Sequence, residues 1–213
     1  MPTSSEFEDA LEATAEYVRG IGDEISDESV ENVLSVTERG ENYSLTGHRC
    51  VGDNNSIYIV AGHPELRHFY VVYLLSVKQN VGNQLDDELI AALIEDEDDL
   101  DNAERVTKAG KVLLERLPQE ETEALKTYTF LFLTSSPNTS IIHTSEEGTF
   151  EYYSVENLIF PYEEDFGLRE FNEAVQRTVT NGRRGSRLLG RTIFVDRDEE
   201  NLSNTGLQLH FGW

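Results

Sequence analysis

The chain has 213 residues, enough to bury a sizeable core as one large domain or two small ones. Asp and Glu total 41 against 17 Lys and Arg, a formal net charge of -24, with a pI near 4.4. One cysteine, Cys50, rules out an internal disulfide and disfavours a thiolate zinc site.

Ser5-Glu6-Phe7-Glu8 has the spacing of a capping box. Phe7, Ala10, Leu11, Thr14 and Val18 follow at helical spacing, with Gly20 as the stop. Ile25, Val30, Val33 and Leu34 fit a short second helix starting near Asp27. Tyr43 to Val51 reads as a strand, bounded by the Arg39–Asn42 turn and by Asp53-Asn54-Asn55, residue types that tolerate left-handed backbone. Ile57–Ala61 and Phe69–Val77 complete an antiparallel three-strand meander. In the last of these, Phe69, Val71, Tyr73, Leu75 and Val77 share one face, and Tyr70, Val72 and Leu74 the other. A strand apolar on both faces has to be covered on both, so it is expected at the centre of a sheet.

Leu85–Ile94 places Leu85, Leu89, Ala92 and Leu93 on one side of a helix. Glu95–Asp101 is nearly all acid and reads as a solvated break. A longer helix then carries Leu100, Ala103, Val106, Gly110, Leu113 and Leu117. Pro118 ends it and opens a short helix through Leu125. Tyr128–Leu133 is a dense apolar run and is expected to be a strand, followed by a turn at Ser135–Asn138 and a strand at Ser140–Thr144. Phe150–Phe160 reads as a strand with a bulge near Asn157. Leu168, Phe171, Val175 and Val179 mark a third main helix, expected to stop at Asn181-Gly182. After a short strand at Thr192–Val195 and an acidic loop, Leu207, Leu209, Phe211 and Trp213 alternate with polar residues or glycine as a half-buried terminal strand.

The order α-βββ-αα-βββ-α-β implies an α+β fold, an antiparallel sheet (or sheets) of about six to seven strands covered by three main amphipathic helices. It is read as a single domain over 1–213, its halves 1–126 and 127–213 alike in element order and no linker between them. Over roughly residues 5–182 that order is similar to the layout of the type III secretion chaperone-like fold, which runs helix, strand meander, helix, strands, helix. The resemblance implies a small dimeric binding module rather than an enzyme. Thr192–Trp213 lies outside it.

Only Lys78, Lys108, Lys111 and Lys126 are lysines; the other basic residues are arginines. In dilute buffer such an acid excess repels itself, whereas in molar salt the Debye length falls to ~3 Å and the repulsion is screened. Acid-rich, lysine-poor surfaces resemble those of extreme halophiles, so a halophilic archaeon or archaeal virus is the expected source. The longest apolar run, Phe69–Leu75, falls short of the ~20 residues of a spanning helix, and no membrane partner is expected. The N-terminal MPTSSEFEDALEA has neither a basic nor an apolar leader region, so a cytoplasmic or virion-associated place is expected.

His48 and Cys50, two apart on a strand, share a face as a Cys-His nucleophile pair would, but with no third group placed to orient the imidazole; a packed core is the simpler reading. His63, Glu65 and His68 flank a turn whose Pro64 forbids the helix that an HExxH site needs. Asp96, Asp98, Asp99 and Asp101 fail the EF-hand pattern, which wants an acid where Leu100 stands and glycine where Asp101 stands. Glu163, Glu164 and Asp165 sit where they complement a helix dipole. No P-loop, dinucleotide fingerprint or nucleophile elbow is present. The expected assignment is therefore no catalytic residue, no metal and no cofactor.

Asn181–Arg191 stands out: Arg183, Arg184, Arg187 and Arg191, four of the 17 basic residues, fall within nine positions. Arginine forks suit phosphate or carboxylate, so these four are candidates for clamping the chain's own or a neighbour's acids, or for contacting nucleic acid. The terminal strand with Leu207, Leu209, Phe211 and Trp213 offers an edge for strand addition. The expected function is a non-catalytic protein-interaction or assembly module that self-associates; the alternative is a nucleic-acid-binding protein using the arginine patch.

Overall fold

The computed structural model describes residues 2–94, 100–134, 139–145 and 148–211. In chain order the elements are α1 (Ser4–Gly20), β1 (Glu24–Glu38), β2 (Glu41–Gly52), β3 (Ser56–Gly62), β4 (Phe69–Ser76), α2 (Val77–Gly82), α3 (Asp87–Ile94), α4 (Asn102–Glu115), α5 (Gln119–Leu133), β5 (Thr139–Thr144), β6 (Phe150–Ile159), α6 (Leu168–Thr192), β7 (Ile193–Asp196) and β8 (Gly206–Leu209). The fold is α+β, with an antiparallel sheet ordered β1-β2-β3-β4-β6-β5 and a ribbon of β7 and β8. Among the described residues no helix is long and apolar enough to cross a membrane. The chain divides into two compact units, Met1–Leu74 with Val155–Asn181, and Leu75–Ser154 with Gly182–Trp213.

In the first unit, α1 starts two residues earlier than its sequence spacing suggests. Thr3 caps it, accepting from the Glu6 amide, while the Glu6 carboxylate accepts from the Thr3 amide at 2.6 Å. Its buried stripe of Phe7, Ala10, Leu11 and Val18 packs with Cys50, Tyr58, Val60, Phe69, Val71, Phe171 and Val175. The opposite face of the meander is closed by Leu45, Ile59, Ala61, Leu66, Tyr70 and Val72, with Val33, Leu34, Val36 and Tyr43 against them. Strand β4 thus feeds both cores, Phe69 and Val71 to one side, Tyr70 and Val72 to the other, between β3 and β6. Leu74 departs from that pattern and is exposed.

The segment expected to be a helix from Asp27 is instead the long edge strand β1. From Ile25 to Val30 it spends five residues where β2 spends three, and from Val30 to Leu34 four where β2 spends two. Ser29 and Asn32, with φ of 51° and 55°, make these bulges. Bulges stretch the strand's period-two pattern toward spacings of four and five, which a sequence displays as a helix.

In the second unit, α2 crosses α4 where both lack a side chain. A Cβ on Gly110 would stand 1.9 Å from the Lys78 carbonyl oxygen, so only glycine lets the two backbones approach. Leu89, Ile90, Leu93, Leu113, Leu114, Leu125, Phe150, Tyr153 and Leu189 are buried there. Tyr128–Leu133, expected to be a strand, is the last part of α5. Thr122, Leu125, Thr129 and Leu133 are its buried face, at spacings of three and four. With Glu120 and Glu121 in the first turn and no breaker before Thr134, the helix propagates through the aromatic run. The turn expected at 135–138 lies outside the described residues.

Candidate interaction surfaces

Helix α6 does not stop at Asn181-Gly182 but runs to Thr192, so the arginine patch is helical rather than a loop after a helix. Gly182, Gly185, Leu189 and Thr192 form its buried face. The Tyr153 hydroxyl donates to the Gly182 carbonyl at 2.6 Å, and a Cβ on Gly185 would stand 2.6 Å from that hydroxyl oxygen. Gly185 thus admits a tyrosine instead of breaking the helix.

On the outer side, Arg184, Arg187 and Arg191 are exposed and Arg183 is half-buried. At 100° per residue the first three fall within an arc of about 60°, spread over about 10 Å of helix axis. None of the four joins a carboxylate among the described residues, whereas Arg19, Arg49, Arg169, Arg177 and Arg197 all do. Among the described residues, then, these arginines do not clamp the chain's own acids.

Directly after Thr192 the chain enters the ribbon, where Ile193, Phe194, Val195 and Asp196 pair with Leu209, Gln208, Leu207 and Gly206. Ile193 is buried, with Val195, Leu207 and Leu209 half-buried on the same side of the pleat, which turns Phe194, Gln208 and His210 outward. The His210 amide donates to the Thr192 carbonyl at 2.8 Å, holding the end of the ribbon to the end of the helix. Phe194 meets His210 edge-on at 5.1 Å, and Phe211 meets Tyr128 of α5 edge-on at 5.1 Å. Between them lies an open groove of about 430 Å³ lined by Tyr128, Leu188, Arg191, Thr192, Phe194, His210 and Phe211.

Two features that are separate in the sequence thus meet here, the arginines through Arg191 and the terminal strand through Phe211. Leu207 and Leu209 lie on β8; Trp213 lies outside the described residues. Sequence reasoning did not single out Tyr128, Phe194 and His210. The signal for Phe194 was present: in Ile193-Phe194-Val195 only alternate residues can face inward, and two β-branched neighbours claim that side.

Helix α5 carries a second surface. Leu131, 63% exposed, points away from Leu125, Thr129 and Leu133, Phe130 at 45% flanks it about 100° round the helix, and Phe132 is 40% exposed.

The other candidates have structural places. His48 is buried, its Nδ1 accepting from the Ser29 amide at 3.2 Å and its Nε2 3.0 Å from the Leu11 carbonyl. Cys50 is fully buried, and burial pushes its thiol up to about 12, the wrong direction for a nucleophile. His68 lies 3.1 Å from Glu38, while His63 accepts from the Glu65 amide; no group of three or more His, Cys, Asp or Glu among the described residues is arranged to hold a metal. Asp101 caps α4 through Glu104, and residues 96–99 of the acidic run lie outside the described residues. Glu163 and Asp165 line an open groove of about 270 Å³ with Glu170, Glu173 and Arg177.

No family model and no curated protein matches the sequence. Among solved structures, an uncharacterized protein from Methanothermobacter thermautotrophicus superposes with a TM-score of 0.50 and 8% identity, over 85% of this chain and 97% of that one. The likeness is one of fold.

Proposed function

We propose that this chain is a non-catalytic interaction and assembly module of an extremely halophilic archaeal cell or its virus, self-associating through the outer face of α5. One observation carries the reading: Phe130 and Leu131, adjacent on a helix, are exposed on the surface of a chain with 41 acidic residues. Monomers tolerate exposed apolar residues singly, whereas contiguous ones mark contact sites. The acid excess and the four lysines support a saline setting. There, charge does not hold acidic chains apart beyond ~3 Å. A two-fold contact sets the same apolar face opposite itself, so a second copy is the occupant.

Sedimentation velocity over a concentration series in molar KCl tests this. The wild type is expected to be an oligomer and the Phe130→Glu, Leu131→Glu variant a folded monomer. A wild type that stays monomeric throughout, or a variant that assembles equally well, removes the proposal.

A second reading, nucleic-acid binding, is favoured by one observation: Arg183, Arg184, Arg187 and Arg191 stand without a carboxylate partner among the described residues.

A further inference from the structure

We infer that the groove between the end of α6 and the β7–β8 ribbon seats a short single-stranded nucleic acid, its phosphates along Arg184, Arg187 and Arg191 and a base against Phe194 and His210. The inference rests on the second reading above and gives it a place, a strand form and a second set of residues.

Three observations converge. First, the exposed arginines form one stripe, so successive phosphates of a strand laid along the helix each meet a guanidinium; the planar fork pairs with phosphate oxygens bidentately. Second, that stripe ends inside the groove, where Arg191 shares the lining with Phe194, His210, Phe211 and Tyr128. Cationic tracks running into aromatic platforms are the arrangement by which proteins hold unpaired strands, since every base offers a face to stack. Third, Phe194 is 45% exposed although its neighbours Ile193 and Thr192 are buried, which leaves the ring accessible to a base. A groove of about 430 Å³ takes a base or two and excludes a double helix.

The proposed brine decides which interaction dominates. Release of counterions, the usual source of nucleic-acid affinity, contributes little in molar salt, while stacking is short-ranged and persists. Losing the aromatic platform is therefore expected to cost more than losing any one arginine.

Fluorescence anisotropy of a labelled oligothymidylate, with a duplex of equal length as comparison, tests this in KCl from sub-molar to molar. The wild type is expected to bind the single strand and not the duplex. Phe194→Ala, checked for folding by circular dichroism, is expected to lower affinity by roughly ten- to a hundredfold. The triple Arg184→Gln, Arg187→Gln, Arg191→Gln variant is expected to flatten the dependence of log affinity on log salt by about 0.7 for each phosphate it no longer neutralises. Arg169→Gln, at the other end of α6, is expected to leave binding unchanged. Equal binding of the duplex, or loss with the arginine triple but not with Phe194→Ala, overturns the groove and leaves the nucleic-acid reading standing. No binding by the wild type at any salt ends both. An oligomer that Phe194→Ala disperses, without oligonucleotide binding, marks the groove as a protein interface and also overturns the inference.

Discussion

Replacing His48 separates a structural histidine from a catalytic one by magnitude. Its ring is buried to 1% exposure and brackets three elements: Nδ1 takes the Ser29 amide at a bulge of β1, Nε2 faces the Leu11 carbonyl of α1, and the residue itself lies on β2. Nδ1 must be the acceptor, since an N–H lies opposite, so Nε2 carries the proton and donates. His48→Ala removes two hydrogen bonds, each worth about 0.5–1.5 kcal/mol net, and leaves a ring-sized void. The Leu11 carbonyl still accepts from the Thr14 hydroxyl at 2.8 Å, so it is not orphaned, and the cavity dominates. The sum is about 2–5 kcal/mol, a fall in melting temperature of about 5–15 °C for a chain of this size. His48→Phe fills the void and loses the hydrogen bonds, so it should fall less than half as far. Thermal melts in molar KCl read both. If His48→Ala melts within about 2 °C of the wild type, the bracket is not holding α1 to the meander and the structural assignment of His48 is wrong.

Three further outcomes follow from named neighbours. Gly110→Ala forces a Cβ to within 1.9 Å of the Lys78 carbonyl oxygen and should destabilise by about 1–3 kcal/mol or more; Gly190→Ala, with nothing within 4 Å, should instead stabilise by about 0.5–1 kcal/mol. Equal melts for the two would contradict the α2–α4 crossing. The Cys50 thiol, raised to about 12 by burial, should react with a thiol reagent only as fast as the chain opens, so rapid labelling under native conditions would refute its placement. Burial raises the Asp23 carboxyl, with the nearby Asp53 adding and the Tyr58 hydroxyl, donating at 2.8 Å, opposing. A carboxyl raised in the folded state disfavours folding above its folded pKa, and that cost disappears as pH falls through it. Asp23→Asn, which still accepts from Tyr58, should therefore melt at or above the wild type at neutral pH. The gap should narrow as pH falls through the raised folded pKa and be gone at the ordinary aspartate value; a variant that melts lower at neutral pH refutes it.

What the sequence shows and hides can be traced to particular residues. Helix α1, the strands β2 to β4 and helix α4 are legible because each sets an apolar pattern between strong turn residues, and β4 is central because both its faces are greasy. Strand β1 is misread because Ser29 and Asn32 insert bulges that imitate helical spacing. Helix α5 is misread because Phe130, Leu131 and Phe132 are apolar without being buried, which erases the stripe that Thr122, Leu125, Thr129 and Leu133 would otherwise draw. Asn181-Gly182 looks like a stop because a glycine inside a helix is written with the same letter as one that ends it; three residues on, Gly185 admits the Tyr153 ring end and the helix continues. The arginines and the terminal strand are visible as two separate anomalies. Their meeting at Arg191 and Phe211 is not, since it depends on where α5 brings Tyr128.

The misread helix and the groove point the same way. Under the proposed saline setting, charge loses its reach: two surface charges separated by more than ~3 Å scarcely feel each other. A protein that must recognise a partner there is left with forces acting at short range, namely apolar burial, ring stacking and bidentate pairing. Groups of that kind are exposed at both surfaces: Phe130 and Leu131 on α5, Phe194 and His210 on the ribbon, and arginines in place of lysines along α6. The same logic predicts that raising KCl strengthens association through α5, because excluded salt favours apolar burial, while it weakens strand binding at the groove, by about 0.7 in log affinity per log unit of salt for each phosphate the arginines neutralise. Different salt responses at two surfaces of one chain are hard to produce by general stickiness. Sedimentation and anisotropy measured across one salt series would expose a single shared response, and that result would collapse the two surfaces into one.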